Sequence, residues 1–184
     1  MPASVRTEFD QRMAHEGSLH AAFQAEAEAP DAGALQALAE RNAHVLVAIA
    51  LLEERPRAER DDAGPMAQEL ARLDGKLNLL IEIVNHLLLP AAALPPRQRL
   101  RFNGVGAQVP LALLPPGAAQ GRLRLHLDAC LALPLELACR VESVHDDVAF
   151  LAFSAFGDAV EEGLDRYVFR QHRRKLADER QSAG

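Results

Sequence analysis

The sequence predicts an α+β protein: a small antiparallel β-barrel, long α-helices bearing a heptad stripe, and a C-terminal helix. Three observations carry this reading. Apolar side chains recur at alternating spacings of four and three between residues 66 and 87, the period falls to two beyond residue 96, and a polar segment with one apolar side closes the chain. The 184 residues suit one compact domain with an extension, or two small modules. A hydrophobic content of 49% with 25% charged residues is ordinary for a chain with a real core. A formal net charge of −6 excludes a general polyanion binder, so any basic site must be local. Aromatics at 4%, without Trp, count against a stacking surface for single-stranded nucleic acid.

An N-terminal arm spans residues 1–29, and within it 18–26 reads either as a first barrel strand through Leu19, Ala21 and Phe23 or as an Ala-rich helix. No basic region followed by an apolar run precedes it, so no signal peptide is predicted. Helices occupy residues 30–92. In the first, over 34–54, Leu35, Leu38, Val45, Ile49 and Leu52 form a stripe in which Asn42 takes the remaining core slot. The charged, Pro- and Gly-bearing stretch 55–65 is a solvated connection. Pro65 suits a first helical position. The next helix carries Met66, Leu70, Leu73, Leu77, Leu80, Val84 and Leu87 as an unbroken heptad seam, ended by Pro90. Such a seam also serves packing within one subunit. Ile81, Ile83 and Leu88 flank it and widen the face beyond one partner helix, which points to self-association as a dimer or a tetramer. The longest apolar runs, 45–52 and 77–89, are bordered or broken by Lys76, Asn78, Glu82, Asn85 and His86 and are too polar to span a membrane, and the default location is the cytoplasm.

After the linker 90–96 the barrel occupies 97–157. Apolar residues over 107–114 form a strand that ends at Pro115-Pro116-Gly117. Leu123, Leu125 and Leu127 alternate with Arg122, Arg124 and His126, the pattern of a strand wet on one face. Strands over 133–145 and 148–156 follow, joined by a hairpin turn at Asp146-Asp147. The closing helix covers 158–178, with Leu164, Tyr167 and Val168 on one side, and 179–184 is a tail. Cys130 and Cys139, without a CxxC motif, read as buried reduced thiols.

Common catalytic spacings fail. His15 and His20 are one position too far apart for a zinc-protease HExxH, and His44, His86, His126, His145 and His172 form no local pair, so no metal is predicted. Gly75-Lys76 lacks the preceding glycine of a phosphate loop, since Leu70 stands there. No GxSxG, GxGxxG or CxxC occurs. His145, Asp146 and Asp147 are polar turn residues in this reading, and neither an enzyme nor a cofactor is predicted.

The serial order of motifs resembles the PilZ domain, a six-stranded bacterial barrel that in many members binds cyclic di-GMP and relays it to a partner. The segment RFNGVGAQV at 101–109 resembles the DxSxxG strand, LPPGAAQGRLRLHL its proline and glycine turn into an amphipathic strand, CRVESV at 139–144 the central strand, and VAFLAF at 148–153 the strand of alternating hydrophobics. DAVEEGLDRYVFRQHRR resembles the closing helix, and the helices ahead of the barrel resemble the insertion of atypical members. The likeness covers roughly 40% of the chain. It implies a ligand site at Arg97, Arg101, Asn103 and Gly106, through the RxxxR spacing and the DxSxxG positions. Two residues depart from the motif: Arg101 stands for Asp and Asn103 for Ser. An Arg cannot accept hydrogen bonds from a guanine edge, so the usual cyclic di-GMP site is not expected. Arg97, Arg99 and Arg101 could instead grip phosphate bidentately at a noncanonical site.

The last helix places Arg166, Arg170 and Arg174 on one face, with Arg173 and Lys175 beside them. Cations there complement the helix dipole. Their functional alternative is docking an acidic partner surface or a nucleotide phosphate. The function that follows is a non-enzymatic bacterial signalling adaptor that self-associates through its heptad helix and binds protein partners, without nucleic acid or membrane insertion. The alternative is a cyclic di-GMP receptor using the arginine site, and a structural scaffold stands third.

Overall fold

The computed structural model describes residues 4–53 and 94–182, together with Met66, Glu69, Leu70, Arg72, Leu73, Gly75, Lys76, Leu77, Leu80 and Val84. The expectations for Leu87, Ile81, Ile83 and Leu88, for the connection 55–65 and for most of the linker 90–96 lie outside the described residues.

The elements in chain order are α1 (Val5–Gln11), β1 (His15–Ala25), α2 (Ala32–Glu53), β2 (Arg97–Phe102), β3 (Gly106–Pro110), β4 (Gln120–His126), β5 (Leu135–His145), β6 (Val148–Phe153) and α3 (Asp158–Ser182). The strands form a closed antiparallel barrel in the order β1-β2-β3-β6-β5-β4. Of the two readings of the N-terminal arm, the strand is the one adopted, and it closes the barrel. Its first half pairs with β2, His15 opposite Phe102, and its second half with β4, Ala25 opposite Gly121. Leu19 and Ala21 thereby enter the core.

Period-two alternation fills the barrel as anticipated. Leu123 and Leu125 of β4, Leu135 and Leu137 of β5, Leu100 and Phe102 of β2, and Leu151 of β6 are all buried. One mouth is capped by Val45, Leu46 and Ile49 of α2 and by Val160, Leu164, Tyr167 and Val168 of α3. The two helices approach closely at Gly163, where an added Cβ would lie 2.8 Å from Leu46 Cδ1. By length and composition α2 could also cross a bilayer. Here its apolar stripe is spent on the barrel and on α3.

Several boundaries differ from the sequence expectation: β1 is His15–Ala25 rather than 18–26, α2 is Ala32–Glu53 rather than 34–54, and α3, expected to stop at 178 before a tail, continues to Ser182. The segment 101–109, likened to one strand, is divided by a turn, and its first residues belong to a separate strand, β2. Its arginines alternate with Gln98, Leu100 and Phe102, and the last two are core residues. The strand expected over 107–114 pairs only as far as Pro110 and then turns through a single 3-10 turn, Leu111–Leu113, where Leu111 N–H donates to the Asp147 carbonyl at 2.7 Å. The strand expected over 133–145 starts at Leu135, just after Pro134, and the one expected over 148–156 ends at Phe153. Helix α1, which has no periodic signature, is capped by the Ser4 hydroxyl accepting from Thr7 N–H. The Asp146-Asp147 hairpin is present, with Asp146 at φ 51° in the left-handed region that Asp tolerates. Cys130 and Cys139 are both buried, and burial pushes the Cys139 thiol up to about 12, which keeps it protonated.

Candidate functional site

Arg101, Asn103 and Gly106 are engaged within the chain. Asn103, fully buried, sits in the tight β2–β3 turn: its Oδ1 accepts from Val105 N–H at 2.9 Å and its Nδ2 donates to the Phe9 carbonyl of α1 at 3.0 Å. Gly106 begins β3 where a Cβ would collide with the Leu151 carbonyl and the Phe150 ring, so the glycine is required by backbone approach. Arg101 points outward from β2, lies 4.8 Å from the Phe9 ring centroid, and donates to Asp10 at 3.1 Å. The Asp10 carboxyl is held below the usual range by its hydrogen bond from Arg6, with Arg101 adding to it against partial burial.

The other two arginines of β2 also have partners. Arg97 bonds Asp128 and the Ser18 carbonyl, and Arg99, though 83% exposed, reaches Glu16 at 2.7 Å. The strand therefore carries three cations on its outer side, each beside an acid from another element. A phosphate would enter this surface by exchange with a carboxylate.

The α3 arginines do not form one uniform stripe. Arg166 pairs with Glu162 on its own helix. Arg170 and Arg174 converge on Glu53, the last residue of α2, whose side chain is only 4% exposed. Arg170 Nε donates to it at 2.8 Å, Gln171 Nε2 at 2.6 Å and Arg174 Nη1 at 2.9 Å, while Arg174 Nη2 reaches the Glu53 carbonyl at 3.0 Å. These cations close the C-terminal end of α2, where carbonyls lack intrahelical partners. Gln171 and Glu53 carried no sequence signal for this role beyond an acidic pair, Glu53-Glu54, ending an apolar helix.

Asn42 is the second bridge. Its Nδ2 donates to the Glu136 carbonyl at 2.8 Å and its Oδ1 accepts from Glu136 N–H at 3.0 Å, taking over the edge of β5 where β6 has run out. The Glu136 carboxylate, nearly buried, meets Arg41, Arg122 at 3.2 Å and Arg124 at 3.0 Å. Burial alone would raise its pKa, but Arg41 and the two β4 arginines outweigh it and hold the group ionised.

Beside the Glu53 clamp, a cleft of about 790 Å³ is lined by His15, Leu52, Tyr167, Asp128 and Ala129 among others. The His15 ring lies edge-on to Phe102 and Tyr167, at 5.4 and 5.7 Å, and burial depresses its pKa. His15 and His20, five apart on a strand, project to opposite faces; His20 Nδ1 contacts the Pro95 carbonyl at 2.6 Å. Among the described residues, no cluster of three or more His, Cys, Asp or Glu could hold a metal.

The heptad residues Met66, Leu70, Leu73, Leu77, Leu80 and Val84 are helical and exposed, from 46% for Leu73 to 75% for Met66.

A six-stranded barrel closed by a strand from ahead of an inserted helical segment, with a final helix across its mouth, defines an atypical PilZ-type domain. The family model described as the atypical PilZ domain, cyclic di-GMP receptor, matches residues 46–181, and the chain belongs to that family. The match starts within α2, so α1 and β1 lie ahead of it. Among solved structures, a pathogenic protein from Xanthomonas campestris shares the fold with a TM-score of 0.69 and 23% identity, over 95% of this chain and 96% of its own. It is described as a new tetrameric PilZ domain self-assembled via an unusual helical bundle. Comparison with curated proteins gave no match.

Proposed function

We propose that the protein is a non-enzymatic bacterial signalling adaptor, working in the cytoplasm, that assembles through its heptad helix and presents several barrel surfaces to protein partners. The observation that carries this reading is the row Met66, Leu70, Leu73, Leu77, Leu80 and Val84, all exposed on helical backbone. A row of large apolar side chains at heptad spacing is a surface that water disfavours and a second copy covers. The Xanthomonas protein's helical bundle supports a tetramer as the assembled form. Linking weak barrel surfaces through such a core raises their effective concentration without stronger individual contacts. A partner reaching α3 meets Arg166 first, since Arg170 and Arg174 also brace Glu53.

Light scattering on the purified chain tests it. The wild type gives a multiple of 20.0 kDa, and changing Leu73 and Leu80 together to Glu lowers the mass while the circular dichroism of the barrel persists. An unchanged mass in a folded double variant rejects the reading.

The family's description as cyclic di-GMP receptors supports a second reading, in which Arg97, Arg99 and Arg101 bind the nucleotide's phosphates. Titration calorimetry decides it. Saturable binding that weakens in Arg101→Ala makes the protein a receptor; no heat, with unchanged thermal stability, leaves it an adaptor.

A further inference from the structure

Helix α1 is attached to the barrel as a ligand is attached to a receptor. Its one fully buried side chain, Phe9, packs with Phe150 and Ala152, flanked by Val5 and Val105, in a cluster separate from the main core. The main core is complete without α1. Three barrel groups hold Phe9 and the acid after it, while Arg6 of α1 lies 5.0 Å over the Phe150 ring and Arg12, at the end of α1, pairs with Glu161 of α3 at 2.6 Å. The Phe150 ring lies 5.0 Å from the Phe9 ring, the Arg101 guanidinium lies over the Phe9 ring at 4.8 Å, and the buried Asn103 amide donates to the Phe9 carbonyl at 3.0 Å. Arg101 then also reaches the Asp10 carboxylate. The barrel thus reads one aromatic ring, the carbonyl of the same residue, and the carboxylate that follows.

Two features make this occupant replaceable. A seven-residue helix does not hold its shape alone, so α1 is ordered by its docking. Only residues 12–14 separate it from β1, and it carries no barrel strand, so it can lift away without unthreading the fold. Its grip is also divided, because Asp10 is shared between Arg101 and Arg6 of α1 itself. A carboxylate from elsewhere would have Arg101 to itself.

We infer that the barrel face formed by Phe150, Arg101 and Asn103 is a peptide-binding surface whose internal occupant is α1, and that it accepts from a protein partner a segment bearing an aromatic residue followed by an acidic one. This rests on the adaptor reading and supplies its docking site. The surface uses the very positions, Arg101 and Asn103, at which the nucleotide motif is lost.

The test uses the full chain and a fluorescein-labelled synthetic peptide of residues 4–12, followed by anisotropy. Phe9→Ala empties the surface, and the peptide binds this variant at least about tenfold more tightly than it binds wild type, whose own α1 competes. Adding Arg101→Ala, or replacing the peptide's Phe or Asp by Ala, removes that gain. Asp10→Ala, at a half-exposed side chain, gives a smaller gain and serves if Phe9→Ala does not fold. Equal binding to wild type and both variants, or binding indifferent to the peptide's Phe, overturns the inference. So does cyclic di-GMP binding to Phe9→Ala in place of the peptide, which would make the surface a nucleotide site. Light scattering on the same samples reads assembly separately: an oligomer of unchanged mass that ignores the peptide refutes this inference and leaves the assembly standing.

Discussion

Replacing Asn42 by Leu tests the joint between the inserted helix and the barrel. Asn42 is 1% exposed and makes two hydrogen bonds to one backbone unit, at 2.8 and 3.0 Å to the Glu136 carbonyl and N–H. Leu has the same γ-branched outline, with bulkier ends, but makes neither bond. Two backbone groups are left buried without partners, at about 1–3 kcal/mol each. The added apolar surface offsets about 1 kcal/mol of this. The net loss is about 1–5 kcal/mol, which for a chain of this size lowers Tm by roughly 2–20 °C. Urea melts at a fixed protomer concentration measure it, since assembly couples stability to concentration. Hydrogen exchange supplies a local readout: the Glu136 amide should lose protection while Leu137 and Cys139, inside the β5 ladder, keep theirs. A loss below about 1 kcal/mol, or unchanged Glu136 exchange, would show that something other than Asn42 satisfies the strand there, and the argument would fail.

Glu53→Gln keeps the shape of the α2–α3 clamp but removes its charge; because Arg170 and Arg174 are partly exposed, with side chains at 26% and 45%, the loss is about 1–2 kcal/mol rather than that of a sealed pair. A thermal scan should show a drop of several degrees, and an unchanged midpoint would mean that solvent replaces the carboxylate. Acid should weaken the fold before any carboxylate titrates. Burial depresses the pKa of both His15 and His126 below 6.5, so the unfolded chain binds more protons once the pH falls under that value. Stability should therefore decline from about pH 7 downward and level off below the depressed folded values, with His15→Gln flattening part of the slope. A urea midpoint that is level or rising between those limits would contradict it.

Periodicity made most of the architecture legible. The stripe through Val45 and Ile49, the alternation at Leu123 and Leu125, and the Leu164–Tyr167–Val168 side of the last helix each report a face that must be buried. Segments with weak or mixed signals are less legible. Alanines at 21 and 22 serve strand and helix alike, and β1 is fixed only by two neighbours far along the chain. Arginines at 97, 99 and 101 look like a solvated run until Leu100 and Phe102 are seen pointing inward. Helix α1 rests on the single side chain Phe9, and one residue has no period. At the candidate site Arg101 and Asn103 were legible only as departures from the motif that the chain resembles, and their attachment to α1 depends on residues far apart in sequence, at a separation of 94 for Asn103 and Phe9. Asn42 is the instructive case: a polar residue in a core slot was visible, and its reason was the unfinished edge of β5.

The way β1 closes the ring has a consequence for how this chain can be cut and how it comes off the ribosome. Its hydrogen-bonding partners, Arg97–Phe102 and Gln120–His126, are synthesised only after the inserted helices. Until then β1 must wait with both flanks bare, and a chain starting at residue 46, where the family match begins, never acquires it. Such a fragment would hold five strands, β2 to β6, with β2 and β4 as open edges facing one another across a gap one strand wide. Open edges recruit whatever extended chain is nearest, so the shortest piece that carries the family's signature is also a piece prone to stick to its own copies.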